Sequence, residues 1–377
     1  MQRAARCGAR PREALDRVLA MGKWHPSGVS FSQGRVDTSA AEVQSCHLTK
    51  KVNEYGGDVM KHLRIAAMAA ASALTVGAAN AQTVTIATSA VGSLNYSVGN
   101  ALGKVLTEHG VKARVVPYGG HNQTFPLMNK GQVDFAVGDA TDALFAYKGI
   151  ENYKNLKSDK IRVAGSVFPF YIGWFVKKDA PYKSLADLKG KKVSVGYTAS
   201  PQQRVAAVAA MHAFGVKESD FDGVPVANVV RGAEDFMQGK VEATAFAAGA
   251  GKVAEVNSKV GGIRFLSIPK TQEANKAIQA MMPTAYVGTL QPSPAYAGII
   301  GPTNLLFENY MIIVGAHVSD DIVAKVAKVL YENKKDLASI AKPFANYEPK
   351  ELATDRGVPF HPGAIAYYKN VGVWRGK

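Results

Sequence analysis

The chain has 377 residues, of which 47% are hydrophobic, and a formal net charge of +15 from 45 Lys and Arg against 30 Asp and Glu. The basic residues are dispersed in runs no longer than two. Nucleic-acid-binding proteins cluster positive charge and interleave aromatic residues with it, so the dispersed charge argues against a nucleic-acid partner.

Residues 60–81 have the pattern of a cleaved secretion signal. Lys61 and Arg64 form a basic start, an Ala-rich apolar run extends over 65–76, and Ala79-Asn80-Ala81 supplies a small-x-small cleavage site. The apolar run is about half of the ~20 residues that span a bilayer. A buried Ala-rich helix would not explain the basic start and the cleavage site together. We therefore predict a signal peptide and a periplasmic location.

Residues 1–59 precede this signal and show neither helical nor strand periodicity. They are either an unusual leader extension or the result of an upstream start codon chosen in error. We favour the second interpretation, a non-native upstream extension, because Met60 has the features of an initiator.

The remaining chain, 82–377, has 296 residues, about two domains by the usual length relation. Its net charge falls to +10, from 34 Lys and Arg against 24 Asp and Glu. Both cysteines, Cys7 and Cys46, lie upstream, so this part needs no disulfide in an oxidising compartment.

A strand–loop–helix unit occurs twice. The predicted segments are strands at 83–88 and 192–196, helices at 95–109 and 201–214, and the similar stretches 128–137 and 237–245. Apolar runs at 161–167 and 171–177 predict strands near a crossing point between the units. Alternating strands and helices predict parallel sheets covered by helices. We expect two α/β lobes: the first from 82–177 plus 285–377, the second from 178–284.

Three stretches resemble the TAXI family of solute receptors for TRAP transporters. They are IATSAVGSLNYSVG at 86–99, SLADLKGKKVSVG at 184–196 and HPGAIAYY at 361–368. The third is the most family-specific, while many type II binding proteins share the second. The resemblance covers nearly all of 82–377.

The resemblance implies a type II periplasmic-binding-protein fold, with two α/β lobes joined by a hinge and a ligand cleft between them. It also implies TRAP membrane permease subunits as partners, an ion gradient instead of ATP, and a small organic anion, carboxylate or amino acid, as the solute. The loops at 92–96, 118–121, 139–141 and 199–201 depart from the family pattern. The fold therefore carries over better than the ligand does.

In open α/β sheets, ligands bind outside the carboxyl ends of the strands. Two loops with following helix N-termini, 89–96 and 197–203, lie at such ends, and their N–H groups favour an anion. Each serine taken alone is better explained as a helix cap, whereas the two loops together favour a cleft. The candidates from these loops are Ser89, Gly92, Ser93, Asn95, Tyr96, Thr198 and Ser200.

Further candidates follow other predicted strands. Gly120, His121 and Asn122 form one group, in which His121 is either a ligand donor or a capping residue. Asp139 would favour a ligand amine if it faces the cleft, but a helix N-cap is the simpler interpretation. Arg204 would either pair with a carboxylate or form a solvated salt bridge. Gly249 would allow close approach to the ligand or hinge, and His361 is interpreted as structural.

Catalytic motifs are missing from the sequence after residue 81: it has no Cys, no G-x-S-x-G, no P-loop and no H-x-x-x-H. We predict a monomeric binding protein that is not an enzyme and has no catalytic residues, no metal and no cofactor. Two alternatives remain, an ABC-type periplasmic receptor for an anionic solute and, from another class, a secreted hydrolase.

Overall fold

A computed structural model describes residues 83–376 of the chain. The predicted upstream extension at 1–59 and signal peptide at 60–81 lie outside these residues. The strands are β1 (Val84–Thr88), β2 (Ala113–Pro117), β3 (Phe135–Asp139), β4 (Ile161–Lys177), β5 (Lys192–Val195), β6 (Asp222–Pro225), β7 (Thr244–Ala247), β8 (Ile263–Phe265), β9 (Tyr286–Leu290) and β10 (Thr303–Gly315).

The helices cover both lobes and connect most of the strands. They are α1 (Leu94–Glu108), α2 (His121–Asn129), α3 (Ala140–Lys148), α4 (Pro201–Ala213), α5 (Val229–Met237), α6 (Gly251–Lys259), α7 (Gln272–Gln279), α8 (Asp320–Glu332), α9 (Lys334–Ile340) and α10 (Pro362–Asn370). Each of these helices is too short or too polar to cross a lipid bilayer.

The first lobe is built on the strand order β2-β1-β3-β10-β4. Strand β1 pairs in parallel with β2 and β3, whereas β10 runs antiparallel to β3 and β4. All five residues of β3 are buried, as expected for a strand covered by helices on both faces. Parallel pairing brings the carboxyl ends of β1 and β3 to one edge, where α1 and α3 begin.

The second lobe repeats this arrangement with later strands. Strands β5 and β6 pair in parallel, and a single bridge between Val193 and Ala243 continues the order toward β7. Strand β7 pairs with the second half of β4, and β9 pairs with the first half of β10. A separate core forms around Trp174, whose Nε1–H donates to the Ala207 carbonyl at 3.1 Å.

The lobes share the two long strands β4, of 17 residues, and β10, of 13 residues. Their pairing register shifts where 309–311 of β10 faces 166–169 of β4. Pro169 lies in this segment and lacks a ladder N–H. The structure thus confirms the predicted class: two α/β lobes joined by a hinge with a cleft between them. The lobe boundaries at 177 and 284 stay predictions, because β4 and β10 run through both sheets.

The HPGA motif has a structural explanation. His361 caps α10, its Nδ1 accepting from the Gly363 N–H at 3.3 Å, and Pro362 occupies the first helical position. A Cβ on Gly363 would overlap the backbone of Asp320 at the start of α8, so only glycine fits. The Tyr368 hydroxyl donates to the Ala164 carbonyl at 2.7 Å and ties α10 to β4. The motif therefore docks the C-terminal helix on the first lobe.

Candidate functional site

A cavity of about 50 Å³ lies between the lobes at the carboxyl ends of their strands. One water needs about 10–15 Å³ by the same measure, so the space suits a small molecule. Polar side chains line one part of it and apolar side chains the other. The lining residues are Ser89, Ser93, Leu94, Asn95, His121, Asp139, Phe170, Ile172, Ser200, Gln202, Gln203, Ala206, Val229, Ala245, Phe246 and Ala247.

Helices of the first lobe point their N-termini toward this cavity. Ser93 caps α1, its Oγ accepting from the Tyr96 N–H at 3.2 Å. Asp139 caps α3, its Oδ1 accepting from the Asp142 N–H at 2.9 Å. Helix α2 begins after Gly120 without a side-chain cap. These ends place partial positive charge beside the cavity, a setting that stabilises an anion.

The second lobe contributes the N-terminus of α4. Ser200 occupies the N-cap position, yet its hydroxyl makes no capping hydrogen bond and lines the cavity. Just before it, Tyr197 has a φ of 44°, a left-handed conformation that is uncommon for a bulky residue. The buried Tyr197 ring holds this turn in the second core. The strained turn therefore orients a free hydroxyl and a helix N-terminus toward the first lobe.

His121 anchors a buried network behind the polar wall. Its Nδ1 lies 2.6 Å from Asp142 Oδ2, and its Nε2 lies 2.8 Å from the Val137 carbonyl oxygen. Asn95 Nδ2 also donates to that carbonyl at 2.9 Å, and the Tyr310 hydroxyl donates to Asn95 Oδ1. Because a carbonyl has two lone pairs, it accepts from both side chains.

Nδ1 of His121 faces the Asp142 carboxylate and Nε2 faces the Val137 carbonyl, an arrangement that favours the doubly protonated imidazolium; the amide nitrogen of Asn95 also lies 3.2 Å from Nε2. Burial alone would lower the pKa of His121. The hydrogen bond to Asp142 and the charges of Asp142 and Asp139 outweigh burial, and the pKa is raised. The ring also stacks on Phe125, with centroids 4.8 Å apart. The raised pKa favours the charged ring, which pairs with Asp142, and both ring nitrogens are already engaged within the protein.

Asp139 combines a capping role with a position in the cavity wall. Its side chain is only 4% exposed, and Oδ1 accepts from both the Asp142 N–H and the side-chain amide of Gln202. Burial, followed by the nearby carboxylates of Asp142 and Glu308, raises the pKa of Asp139 well above its ordinary value. Asp139 is thus the N-cap of α3 and also lies in the cavity wall, while binding of a ligand amine stays a prediction.

Several contacts bridge the lobes around the cavity. Gln202 Nε2 in α4 donates to Asp139 Oδ1 at 3.0 Å, and the Lys252 N–H in α6 donates to the Gly92 carbonyl at 3.1 Å. A Cβ on Gly120 would lie 3.0 Å from Ser200 Oγ, so the two chain segments touch there. The structure therefore represents a closed state of the cleft.

A buried acid lies at the hinge beside the cavity. Glu308 on β10 is fully buried and accepts hydrogen bonds from the Thr141 hydroxyl at the start of α3 and from the Thr284 hydroxyl just before β9. The two threonine hydroxyls are 2.7 Å apart. Burial is the main cause that raises the pKa of Glu308. The carboxyl group thus joins one element from each lobe where β4 and β10 cross.

The structure brings six of the predicted residues to the cavity and leaves seven outside it. Those in its wall are Ser89, Ser93, Asn95, His121, Asp139 and Ser200. Those outside are Gly92, Tyr96, Gly120, Asn122, Thr198, Arg204 and Gly249. Gly92 and Gly120 instead permit the close approach of the lobes, as their contacts with Lys252 and Ser200 show.

Arg204 does not reach the cavity, which corrects its assignment as a ligand-binding candidate. Its guanidinium pairs with Glu218 on the surface, and its side chain is 52% exposed. Thr198 is exposed, and Gly249, with a φ of 86°, packs against Tyr296 and Pro343 on another face. The salt-bridge interpretation of Arg204 fits the structure.

Sequence reasoning identified Ser200 but missed the other side chains that α4 and β4 contribute to the cavity wall. Gln202 and Ala206 are four residues apart on one face of α4, and Phe170 and Ile172 are two apart on β4. Both spacings put side chains on a common face and were visible in the sequence. Phe168 and Trp174, in contrast, are fully buried in the cores.

One side-chain cluster has ligands suited to a metal ion. The nitrogen or oxygen atoms of His121, Asp139 and Asp142 lie within 4.8 Å of one another, and all three residues are buried. Metal binding at His121 would require breaking the hydrogen bond to Asp142 or to the Val137 carbonyl. The geometry therefore favours an ion pair over a metal centre.

A family model described as the NMT1-like family matches residues 86–372, and the chain belongs to that family. Among solved structures, it is similar to the periplasmic aliphatic sulphonate binding protein SsuA from Escherichia coli, at 16% identity and a TM-score of 0.39, covering 77% of this chain and 83% of the other. It is also similar to the arginine-, lysine-, histidine-binding protein ArtJ from Geobacillus stearothermophilus, at 17% identity and a TM-score of 0.43, covering 71% and 97%. A third similar structure is a TctC solute binding protein from Polaromonas, at 16% identity and a TM-score of 0.41, covering 71% of this chain and 89% of the other.

Proposed function

We propose that this protein is a periplasmic solute receptor that captures a small carboxylate-bearing molecule by closing its two lobes. The observation that carries the proposal is the cavity between the lobes. The N-termini of α2 and α4, which lack a side-chain capping hydrogen bond, lie beside it, one in each lobe, and the hydroxyls of Ser89 and Ser200 line it. A carboxylate placed there accepts hydrogen bonds from both lobes. Its binding energy therefore favours the closed state over the open one.

The proposal extends to the transporter. The sequence resembles TAXI receptors most specifically in its HPGA ending, which here docks α10 on the first lobe. We therefore propose TRAP permease subunits as membrane partners that recognise the closed receptor. An ABC-type permease is the alternative, and transport assays with each class of permease, reconstituted in vesicles, would decide between them.

A hydrolase is the rival from another class, since His121 and Asp142 form a histidine–aspartate pair. In a Ser-His-Asp triad, the histidine Nε2 must receive the proton of the nucleophile. Here Nε2 faces the Val137 carbonyl, and no serine hydroxyl hydrogen-bonds it within residues 83–376. The histidine–aspartate pair is thus arranged as a buried ion pair. This arrangement fits a binding protein better than it fits a hydrolase.

The site can be tested by filling it. The double variant Ser89→Leu/Ser200→Leu places two bulky side chains in the cavity wall, so the thermal stabilisation that small carboxylates or amino acids give the wild type should disappear. Ser258→Leu is the matched control, because Ser258 is exposed on α6 away from the cavity. Differential scanning fluorimetry with a panel of such solutes measures the shift. An unchanged shift in the double variant would show that the solute binds elsewhere.

A further inference from the structure

The unpaired polar atoms of the cavity wall give the chemistry of the solute in more detail. Gln202 Oε1 is buried without a hydrogen-bond partner among the described residues, and the side chain is only 7% exposed. The amide orientation is fixed, because Nε2 donates to Asp139 Oδ1 at 3.0 Å. A buried acceptor without a donor is costly, so this oxygen is suited to accept an N–H or O–H from a molecule in the cavity.

A second acceptor lies beside it. Asp139 Oδ1 already accepts two hydrogen bonds, whereas Oδ2 has no partner within residues 83–376. Asp142, the other acid of the cluster, forms the direct ion pair with His121, and Asp139 is the one lining carboxyl group. Two neighbouring acceptors, one of them a carboxyl oxygen without a hydrogen-bond partner, match a ligand ammonium, which has three N–H donors and one positive charge.

The rest of the wall limits the other groups of the solute. Among the described residues, no Lys or Arg lines the cavity, and both ring nitrogens of the lining His121 are engaged by Asp142 and Val137, so a second carboxylate would have no free cationic donor. One carboxylate is accommodated by the hydroxyls of Ser89, Ser93 and Ser200 and by the helix N-termini. The apolar wall includes Phe170, Ile172, Ala206, Val229, Ala245 and Ala247. Its side chains suit a short hydrocarbon group.

We infer that the solute is a small amino acid with an apolar side chain. Its ammonium group binds Asp139 Oδ2 and Gln202 Oε1, and its carboxylate binds the serine hydroxyls at the helix N-termini. The inference rests on the proposed function, because it uses the same cavity and the same closed state. Burial raises the pKa of Asp139 well above its ordinary value, and an ammonium ion would supply the charge that keeps this carboxylate ionised.

Isothermal titration calorimetry on the purified protein tests the inference with matched pairs. L-alanine, L-valine and L-leucine are compared with propanoate, 3-methylbutanoate and 4-methylpentanoate, which differ from them by loss of the amino group. We expect the best amino acid to bind at least about 10-fold more tightly than its partner acid, since a hydrogen-bonded charge contributes about that much or more.

The variant Asp139→Asn keeps the shape and an acceptor for the cap of α3 but removes the charge. It should weaken amino-acid binding by about 10- to 100-fold and leave binding of the deaminated acid nearly unchanged. Asp321→Asn is the matched control, because Asp321 is an exposed acid in the first turn of α8. Its affinities should equal those of the wild type.

Three outcomes overturn the inference. If deaminated acids bind as tightly as amino acids and Asp139→Asn changes neither, the ammonium site is wrong while the receptor function stands. If only dicarboxylates such as succinate bind, the apolar monocarboxylate class is wrong, again without harm to the receptor function. If no carboxylate of any kind binds, the proposed function itself fails.

Discussion

The buried pair of His121 and Asp142 makes a prediction about stability and pH. Replacing Asp142 with Asn keeps the size and an acceptor for the Nδ1 proton but removes the charge that holds the imidazolium. Breaking a buried ion pair costs about 3–5 kcal/mol. Because an acceptor remains, we expect the lower end, about 3 kcal/mol in the free energy of unfolding. At about 2–4 °C per kcal/mol for a protein of this size class, the melting temperature should fall by about 6–12 °C.

The pH dependence of the protein's stability follows from the direction in which folding shifts the pKa of His121. The pKa of His121 is raised above its ordinary 6.5 in the folded protein, so folding takes up a proton between the two pKa values. The stabilisation is complete below about pH 6.5 and is lost as the pH rises through the folded pKa. The pKa of Asp139 is also raised above its ordinary 3.8, so the folded protein loses stability through this group as well when the pH rises above that value. The wild type should therefore be more stable at pH 6 than at pH 8.

Urea unfolding followed by circular dichroism at pH 6, 7 and 8 measures this dependence. In Asp142→Asn the difference between pH 6 and pH 8 should shrink, and His121→Gln should show the same loss. Asp134→Asn is the control, because it removes the carboxylate from a histidine–aspartate pair outside the cavity, in which His317 Nε2 lies 3.0 Å from Asp134 Oδ1 and His317 is partly exposed. This variant should keep the difference in stability between pH 6 and pH 8. A variant Asp142→Asn with the full pH dependence of the wild type would refute the assignment of His121 as the titrating cation.

Two further predictions concern closure of the lobes. Gly120→Val places methyl groups against Ser200 across the cleft, so solute affinity should fall at least about 10-fold, with little change in the stability of the solute-free protein. Gly301→Val is the control, because a Cβ at Gly301 meets nothing within 4 Å. Equal solute affinities of the wild type and Gly120→Val in calorimetry would contradict the prediction. Thr284→Val removes one of the hydroxyl donors to Glu308 at the hinge and should cost about 1–3 kcal/mol in urea unfolding; a change below about 0.5 kcal/mol would show that this contact contributes little.

The polar half of the site was predictable because its residues follow strands in sequence. Ser89 follows β1, Asp139 ends β3, and Ser200 precedes a helix with proline at its first position. Strand ends and cap preferences are local properties, so the sequence carries them directly. The doubled unit likewise indicated two lobes, and the fold class was confirmed.

The remaining half depends on contacts between distant segments. Arg204 pairs with Glu218, 14 residues away, and a sequence pattern cannot tell that contact from a turn toward the cleft. The role of Gln202 emerges only when the lobes close, since its partner Asp139 is 63 residues earlier. Individual spacings fix which face a side chain occupies, whereas the angle between the lobes fixes what that face meets.

The sharing of β4 and β10 between the lobes has a consequence for folding order. Strand β10 lies inside the first-lobe sheet, between β3 and β4, yet it follows β5 to β9 in the chain. Residues 303–315 must therefore arrive before β3 and β4 acquire their common neighbour. Pairings of such large sequence separation slow folding. The second lobe can assemble from nearly contiguous chain, while the first stays incomplete until most of the chain is available.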